Sequence, residues 1–177
     1  KTRAINTFWY SFSSQGIHLE NSPQYHSMVV RMYTEIEKYL NIREDSLGDH
    51  VPHYLKLSKD YIPAITKPNK RQPSIGDSGD AKQSIAKVYK NIYDFEAGIS
   101  VMQYEKPYPF YTTFIAGYSS KVHKHKDDLS ITLNYKLVDF LVDPGKYSYT
   151  ANKTRRYIIS KEAHSGFYLN QFDYTIK

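Results

Sequence analysis

The chain has 177 residues, which is enough for one ordinary domain, and a formal net charge of +6 at pH 7. It contains no cysteine, which excludes disulfide bonds and thiolate metal ligands. No apolar run approaches the ~18 residues of a membrane-spanning helix, so we expect no transmembrane segment.

The basic charge occurs together with 18 tyrosines, and this combination indicates an anionic partner whose rings can stack on aromatic side chains. Single-stranded nucleic acid and an acidic polysaccharide both meet this description. The chain has no cluster of about five Lys or Arg residues and no signature of an RNA-binding or helix-turn-helix domain. We therefore expect an acidic polysaccharide and no nucleic acid.

The first predicted helix begins near residue 22. Asn21 or Ser22 can cap it, Pro23 suits its first turn, and the apolar pattern extends to about Leu40. Its apolar residues recur at helical spacing and form one stripe: Tyr25, Met28, Val29, Met32, Ile36, Tyr39 and Leu40.

A second amphipathic helix follows and is predicted to end before Pro63 or Pro68. Its apolar positions have the same period: Leu47, Val51, Leu55 and Ile62. Paired antiparallel helices of this kind suit an α/α toroid. Residues 67–79, which are rich in Pro and Gly, are predicted to form a loop, and residues 80–91 a short helical or irregular crossing.

From Gly98 onward the hydrophobic period changes from about 3.6 residues to about 2. Short segments rich in β-branched and aromatic residues, separated by Pro, Gly or charged turns, predict an antiparallel β-sandwich. The predicted strands are 99–104, 111–115, 129–135, 139–142 and 156–159. The fold class is therefore α+β, with helices first and a sandwich after them.

The motif His123-Lys124-His125 carries the most chemical information. In an extended chain alternate residues share a face, so both imidazoles are predicted to point the same way and to begin a metal or proton-transfer site. The alternative is a solvated hairpin tip, which a lone H-x-H would favour. The β-rich runs at 130–135 and 139–142 favour a site at the mouth of a sheet.

These residues belong to a larger set of motifs that resembles the heparinase II/III-like polysaccharide lyases. The H-x-H motif starts a segment of the type H-x-H-x-D-x-L-S at 123–130, and V-D-P-G-x-Y-x-Y follows at 142–149. Two earlier segments, 16–26 and 73–78, match G-x-x-x-E-x-S-P-x-Y-H and P-x-I-G-D-S of that family. The four motifs stand in the family's order.

A further motif, 155–164, is similar to the family's segment from R-R-Y to A-H-N-T. Ser165 and Gly166 stand where the family has Asn and Thr, which leaves His164 intact. The resemblance implies that the chain is a piece of a longer protein. It implies the last helices of an α/α toroid at 1–70, a linker and crossing at 71–97, and a truncated antiparallel β-sandwich at 98–177, with the helices packed against an upstream part of the toroid.

The resemblance also implies a metal site. In the family the second His of H-x-H, the Asp of V-D-P-G and the His of the A-H segment hold a zinc or similar divalent ion, which gives His125, Asp143 and His164 here. Since these ligands lie far apart in sequence, we expect a mainly structural ion. The alternative for Asp143 is a cap of the Asp-Pro-Gly turn.

The activity that the resemblance implies is β-elimination in a uronate-containing polysaccharide, with Tyr25 and His123 as the proton-transfer pair. Tyr25 would protonate the leaving oxygen; it lies in the first turn of its predicted helix, where the dipole favours an anion. A histidine has an ordinary pKa near 6.5 and can act as acid or base near neutral pH. The alternative for Tyr25 is a core tyrosine.

Three further residues are predicted to contribute to substrate binding. Glu20 is placed to brace the tyrosine loop, and Arg155 and Arg156 are candidates to bind an anionic sugar. The residue that neutralises the uronate carboxylate is expected upstream of this chain. The remaining histidines have no assigned chemistry and are expected to be structural or exposed: His18, His26, His50 and His53.

The rival function is that of a non-catalytic protein with the same fold, which binds an acidic polysaccharide or assembles an exopolysaccharide or capsule. Both functions imply a bacterial protein of the periplasm or the cell exterior.

Overall fold

The computed structural model describes residues 1–176, in which three helices precede one five-stranded antiparallel sheet and a short helix follows it. The helices are α1 (Thr2–Ser11), α2 (Pro23–Ile42), α3 (Val51–Ile65) and α4 (Lys153–Ile158), with a 3₁₀ turn at Lys161–Ala163. The strands are β1 (Ile92–Asp94), β2 (Ile99–Tyr104), β3 (Phe110–Ile115), β4 (Ile131–Tyr135) and β5 (Val138–Leu141). The predicted α+β class is confirmed. Within residues 1–176 no helix combines the length and apolar character needed to cross a bilayer.

Helix α2 begins where the sequence predicted. The Ser22 hydroxyl accepts a hydrogen bond from the backbone N–H of Tyr25, and Pro23 occupies the first helical position. Helix α1 was not predicted, and it packs Phe8 and Phe12 into a core shared with α2 and α3. Helix α3 ends at Ile65, before Pro68, which was one of the two predicted limits; it continues through Pro63, which lies in its last turn.

The five strands form a meander in the order β1-β2-β3-β4-β5. The predicted strand 99–104 coincides with β2, and the other predicted strands before residue 143 lie within two residues of β3, β4 and β5. The strand predicted at 156–159 is wrong, because residues 156–158 form the second half of α4 and Ile159 is its C-cap. The reason is local, because the Asn152 side chain caps the helix by accepting a hydrogen bond from the Arg155 N–H at 2.8 Å.

One face of the sheet packs on α3 and on the loop that follows it. The buried residues of this face, Val101, Tyr111 and Ile115, contact Tyr61 and Ile65 in a single cluster. Most side chains of the opposite face are apolar and partly or fully exposed: Met102, Tyr104, Phe110, Phe114, Leu133, Tyr135, Val138 and Leu141. The described residues contain one sheet, so the second layer of a sandwich is still a prediction.

Candidate functional site

The H-x-H motif lies in the connection between β3 and β4. The prediction of an extended backbone is wrong, because this segment forms turns and His123 has a left-handed conformation with φ of 57°. Lys124 is buried between the two histidines and pairs with the buried carboxylate of Asp127. This ion pair holds the turn. Although the backbone is not extended, both imidazoles point towards the same residue, as the sequence had suggested.

That partner is Asp77, whose side chain is 3% exposed. Its Oδ2 lies 3.0 Å from His123 Nδ1, and its Oδ1 lies 2.9 Å from His125 Nε2 and 2.7 Å from Arg155 Nη2. Burial alone raises the pKa of Asp77, but the hydrogen bonds from His125, His123 and Arg155 outweigh it and hold that pKa well below its usual range. Asp77 is therefore a charged group that orients both imidazoles.

Tyr25 lies against the same histidine. Its ring stacks on the His123 ring with centroids 3.6 Å apart and planes inclined by 13°. Its hydroxyl is 2.7 Å from the Tyr149 hydroxyl, which in turn lies 3.3 Å from His123 Nδ1. The two residues predicted to transfer protons are thus in direct contact, although 98 positions separate them in the sequence.

Glycines allow the motifs to meet. A Cβ atom on Gly76 would lie 2.3 Å from the Asn21 carbonyl oxygen and 2.8 Å from that of His123, so the backbone before Asp77 passes directly between the α2 entry loop and the histidine turn. Gly145 is equally close to the Ser78 carbonyl oxygen, at 2.4 Å from an added Cβ. Both glycines have positive φ, which other residues adopt at a cost.

A second group lies behind His125. The possible ligand atoms of His125, Asp143 and His164 all lie within 4.8 Å of one another, and the three residues are buried. Asp143 Oδ2 is 2.7 Å from His164 Nδ1, while its Oδ1 accepts a hydrogen bond from the Gly145 N–H at 3.1 Å. The two predicted roles of Asp143, metal ligand and cap of the Asp-Pro-Gly turn, are therefore compatible. Oδ1 caps the turn, and Oδ2 is available on the side of His164.

The unpaired atoms of this group fit a divalent ion. When His125 donates from Nε2 to Asp77, its Nδ1 carries a lone pair, and this buried nitrogen has no hydrogen-bond partner among residues 1–176. His164 Nε2 is buried and without a partner in the same range. Two imidazole lone pairs and a carboxylate form a donor set that zinc accepts, and a hydrogen bond from the second ring nitrogen to a carboxylate is the usual support for such ligands.

The predicted substrate-binding residues lie in different surroundings. Glu20 is beside the pair, with Oε2 3.6 Å from His123 Nε2. Arg155 points inward and donates to the Lys146 carbonyl oxygen as well as to Asp77. Arg156 is exposed on α4. Contact of these three residues with a sugar stays a prediction.

His26, next to Tyr25 in sequence, has a structural role, as expected. It is buried, its Nδ1 accepts a hydrogen bond from the His18 N–H, and its Nε2 is 2.8 Å from the Ser58 carbonyl oxygen. Burial lowers the pKa of His26 to about 3, and burial together with the nearby His123 lowers that of His18 to about 4. Neither ring faces Tyr25.

Sequence reasoning gave no role to Asp77 or Tyr149, the two residues that join the site. Both lie in segments that resemble family motifs, Asp77 in P-x-I-G-D-S and Tyr149 at the end of V-D-P-G-x-Y-x-Y. The motifs were therefore a signal, but their convergence on His123 depends on tertiary contacts.

Solved structures with this fold were found by comparison, whereas no family model and no curated protein sequence matches the chain. Heparan sulfate lyase HepC from Pedobacter heparinus is similar over 92% of this chain and 31% of its own, with a TM-score of 0.76 and 16% identity. A heparinase III gene product is similar over 92% of this chain and 31% of its own, with a TM-score of 0.76 and 12% identity. A further heparinase III is similar over 90% of this chain and 33% of its own, with a TM-score of 0.74 and 16% identity.

The chain spans about a third of the length of these structures. At such low identity the likeness concerns the fold, and it covers 90–92% of this chain. This chain therefore has the fold of the corresponding third of heparinase III and heparan sulfate lyase.

Proposed function

We propose that the protein is a polysaccharide lyase that cleaves an acidic, uronate-containing polysaccharide by β-elimination. The observation that carries the proposal is the contact between Tyr25 and His123, with His123 oriented by Asp77, in a fold shared with heparan sulfate lyases. The basic charge and the many tyrosines of the chain suit such a substrate.

The reaction must remove the C5 proton of the uronate, protonate the oxygen that leaves C4 and neutralise the carboxylate, and one group can do the first two when both lie on the same face of the sugar. Tyr25 protonates the leaving oxygen. His123 uses Nε2, because Nδ1 faces Asp77 and Tyr149. Whether the base is His123 or Tyr25 depends on the uronate epimer, since the C5 proton lies on opposite faces in gluco and ido sugars.

The metal belongs to the same proposal in a structural role. His125, Asp143 and His164 would hold a divalent ion of the zinc type, and such an ion would cross-link three segments of the chain beside the Tyr25–His123 pair. His125 would then serve two neighbours, with Nδ1 available to the ion and Nε2 donating to Asp77. Through this hydrogen bond His125 would help to fix the carboxylate that orients His123.

The proposal extends to the whole protein. Helices α1 to α3 are the last helices of an α/α toroid that continues upstream, the sheet is one layer of a sandwich, and the domain bounds are those predicted, 1–70, 71–97 and 98–177. Lys177 lies outside the described residues.

A bacterial periplasmic or extracellular location is part of the proposal and is tested by fractionating the cells that produce the protein.

The test is an absorbance assay for the new C4–C5 double bond. Full-length protein is incubated with heparan sulfate, chondroitin sulfate, alginate and bacterial capsular uronans, and His123→Ala protein is the matched control. We expect unsaturated product from at least one substrate and almost none from the variant. Comparing gluco- and ido-rich substrates then identifies the base.

Absence of unsaturated product from all four substrate classes would contradict the proposal. Binding of the same polysaccharides by that inactive protein would then support the rival function, a non-catalytic protein of polysaccharide binding or exopolysaccharide assembly.

A further inference from the structure

The hydroxyl of Tyr149 lies at the junction of the site, in a part of the chain distant from Tyr25. It is 2.7 Å from the Tyr25 hydroxyl and 3.3 Å from His123 Nδ1, and 124 positions separate the two tyrosines. The first distance is typical of a short O–H···O hydrogen bond. One of the two phenol hydroxyls must therefore donate a hydrogen bond to the other. The surroundings of each tyrosine determine which one is the donor.

The surroundings of Tyr149 favour its protonated form. The residue is 54% exposed, but partial desolvation, the hydrogen bond with Tyr25 and the negative charge of Asp77 raise its pKa above the ordinary value of a tyrosine. The cations Lys146 and Arg155 also face this ring, with Nζ and Cζ at 5.4 and 5.5 Å from its centroid, and they oppose the shift without cancelling it.

Tyr25 has different surroundings. It is the third residue of α2, at the positive end of the helix dipole, and its backbone N–H already donates to the Ser22 hydroxyl. Its neighbours are the stacked ring of His123 and the Tyr149 hydroxyl. Because the negative charge of Asp77 favours the protonated form of Tyr149, Tyr149 is the hydrogen-bond donor of the pair and the Tyr25 oxygen is the acceptor.

We propose that Tyr149 is a positioning residue, which donates its hydroxyl hydrogen to the Tyr25 oxygen and thereby makes Tyr25 the phenol that releases a proton. The proposal rests on the proposed function of Tyr25. A phenol O–H prefers the plane of its ring, so the donated hydrogen occupies one in-plane position. The hydrogen of Tyr25 is directed to the other, away from Tyr149, where it can be given to a leaving oxygen.

The kinetic test compares Tyr149→Phe with the wild type in the full-length protein. The variant removes one hydroxyl and keeps the ring, so we expect kcat to fall about tenfold, KM to change less than about twofold, and the melting temperature to stay the same. Tyr157→Phe is the matched control, because Tyr157 is an exposed tyrosine of α4. A Tyr149→Phe variant with wild-type kcat would overturn the proposal.

A second measurement does not depend on activity. In protein labelled with ¹³C at tyrosine Cζ, the Tyr25 signal is assigned by its absence from Tyr25→Phe and is followed through a pH titration. Loss of the donor should raise the midpoint of Tyr25 by about one pH unit in Tyr149→Phe and leave it unchanged in Tyr157→Phe.

The two measurements separate the possible failures. If the wild type forms no unsaturated product, the proposed function fails, while the titration still decides whether Tyr149 donates to Tyr25. If kcat falls but the Tyr25 midpoint stays in place, Tyr149 acts only through packing and the proposal is wrong.

Discussion

The imidazole of His123 lies nearly parallel to the phenol ring of Tyr25, with the ring centroids 3.6 Å apart. The two side chains that can exchange protons, Tyr25 and His123, thus stack directly on each other. Each is held in place by different contacts. Tyr25 is held by the first turn of α2, and His123 by the carboxylate of Asp77. Removal of either functional group should stop the chemistry and leave the scaffold in place.

We expect Tyr25→Phe and His123→Ala to lower turnover by roughly a hundredfold or more, the usual scale for loss of a general acid or base. The phenylalanine ring can keep the stack, so the melting temperature of Tyr25→Phe should match the wild type. Absorbance assays and melting curves on the full-length protein measure both effects. Tyr10→Phe, at an exposed residue, is the control, and substantial activity in Tyr25→Phe would contradict the assignment.

The adjacent histidine should behave differently. We expect His125→Ala to lose the bound ion and to melt several degrees earlier, because an ion that binds only the folded state stabilises it. His123→Ala should retain the ion, and so should His53→Ala at an exposed position. Elemental analysis together with melting curves checks this division. Equal loss of metal in the two H-x-H variants would make both histidines ligands and remove His123 from the proton-transfer pair.

Gly76 should not tolerate a side chain. Alanine there would place its Cβ 2.3 Å from the Asn21 carbonyl oxygen and 2.8 Å from that of His123, which forces the tyrosine loop and the histidine turn apart. We expect Gly76→Ala to lose at least about 2 kcal/mol of stability and most of the activity.

Gly117→Ala separates steric conflict from backbone strain. Gly117 has a φ of 93° and no atom within 4 Å of an added Cβ. It should therefore show only the conformational cost, about 1–2 kcal/mol, with activity retained. Equal activity loss in the two variants would mean that close packing at Gly76 is unimportant. Urea unfolding and the absorbance assay measure the two properties.

Buried His26 predicts a loss of stability in acid. Its folded-state pKa is lowered to about 3, whereas the unfolded chain binds a proton near the ordinary value of 6.5. The unfolded state therefore gains protons first as the pH falls, and stability that is complete above pH 6.5 decreases towards pH 3. For this one group the loss between pH 7.5 and 5 is about 2 kcal/mol. Urea unfolding at several pH values should show a shallower dependence in His26→Gln and an unchanged one in His53→Gln.

Much of the fold could be predicted because its signals are local. Helix α2 has a capping serine and a proline in its first turn, and β2 is a short run that contains the β-branched residues Ile99 and Val101 and the aromatic Tyr104. The strand predicted at 156–159 failed where two local signals compete, since the Asn152 cap prevails over a short β-branched run. The three residues of β1 are too few to give a periodic pattern, and they form a strand through pairing with β2.

The candidate site could be predicted in part. The residue types and motifs of Tyr25, His123 and the three possible metal ligands are visible in the sequence. Asp77 and Tyr149 were not assigned, because nothing local indicates that a carboxylate 46 positions before His123 and a phenol 26 positions after it reach the same ring. The turn at His123 was also missed, since its left-handed backbone is held by the buried Lys124–Asp127 pair.

The separations between the linked residues also bear on how the protein folds. Asp77 is 48 positions from His125, and Tyr25 is 124 positions from Tyr149. Each such contact closes a long loop of the chain. The loss of chain entropy comes before the contact contributes any stabilising energy. Helix α2 and the β2–β3 hairpin rest on nearer neighbours and can form first, so we expect the stacked pair and its carboxylate to assemble late, and a partly folded chain to have secondary structure without a working site.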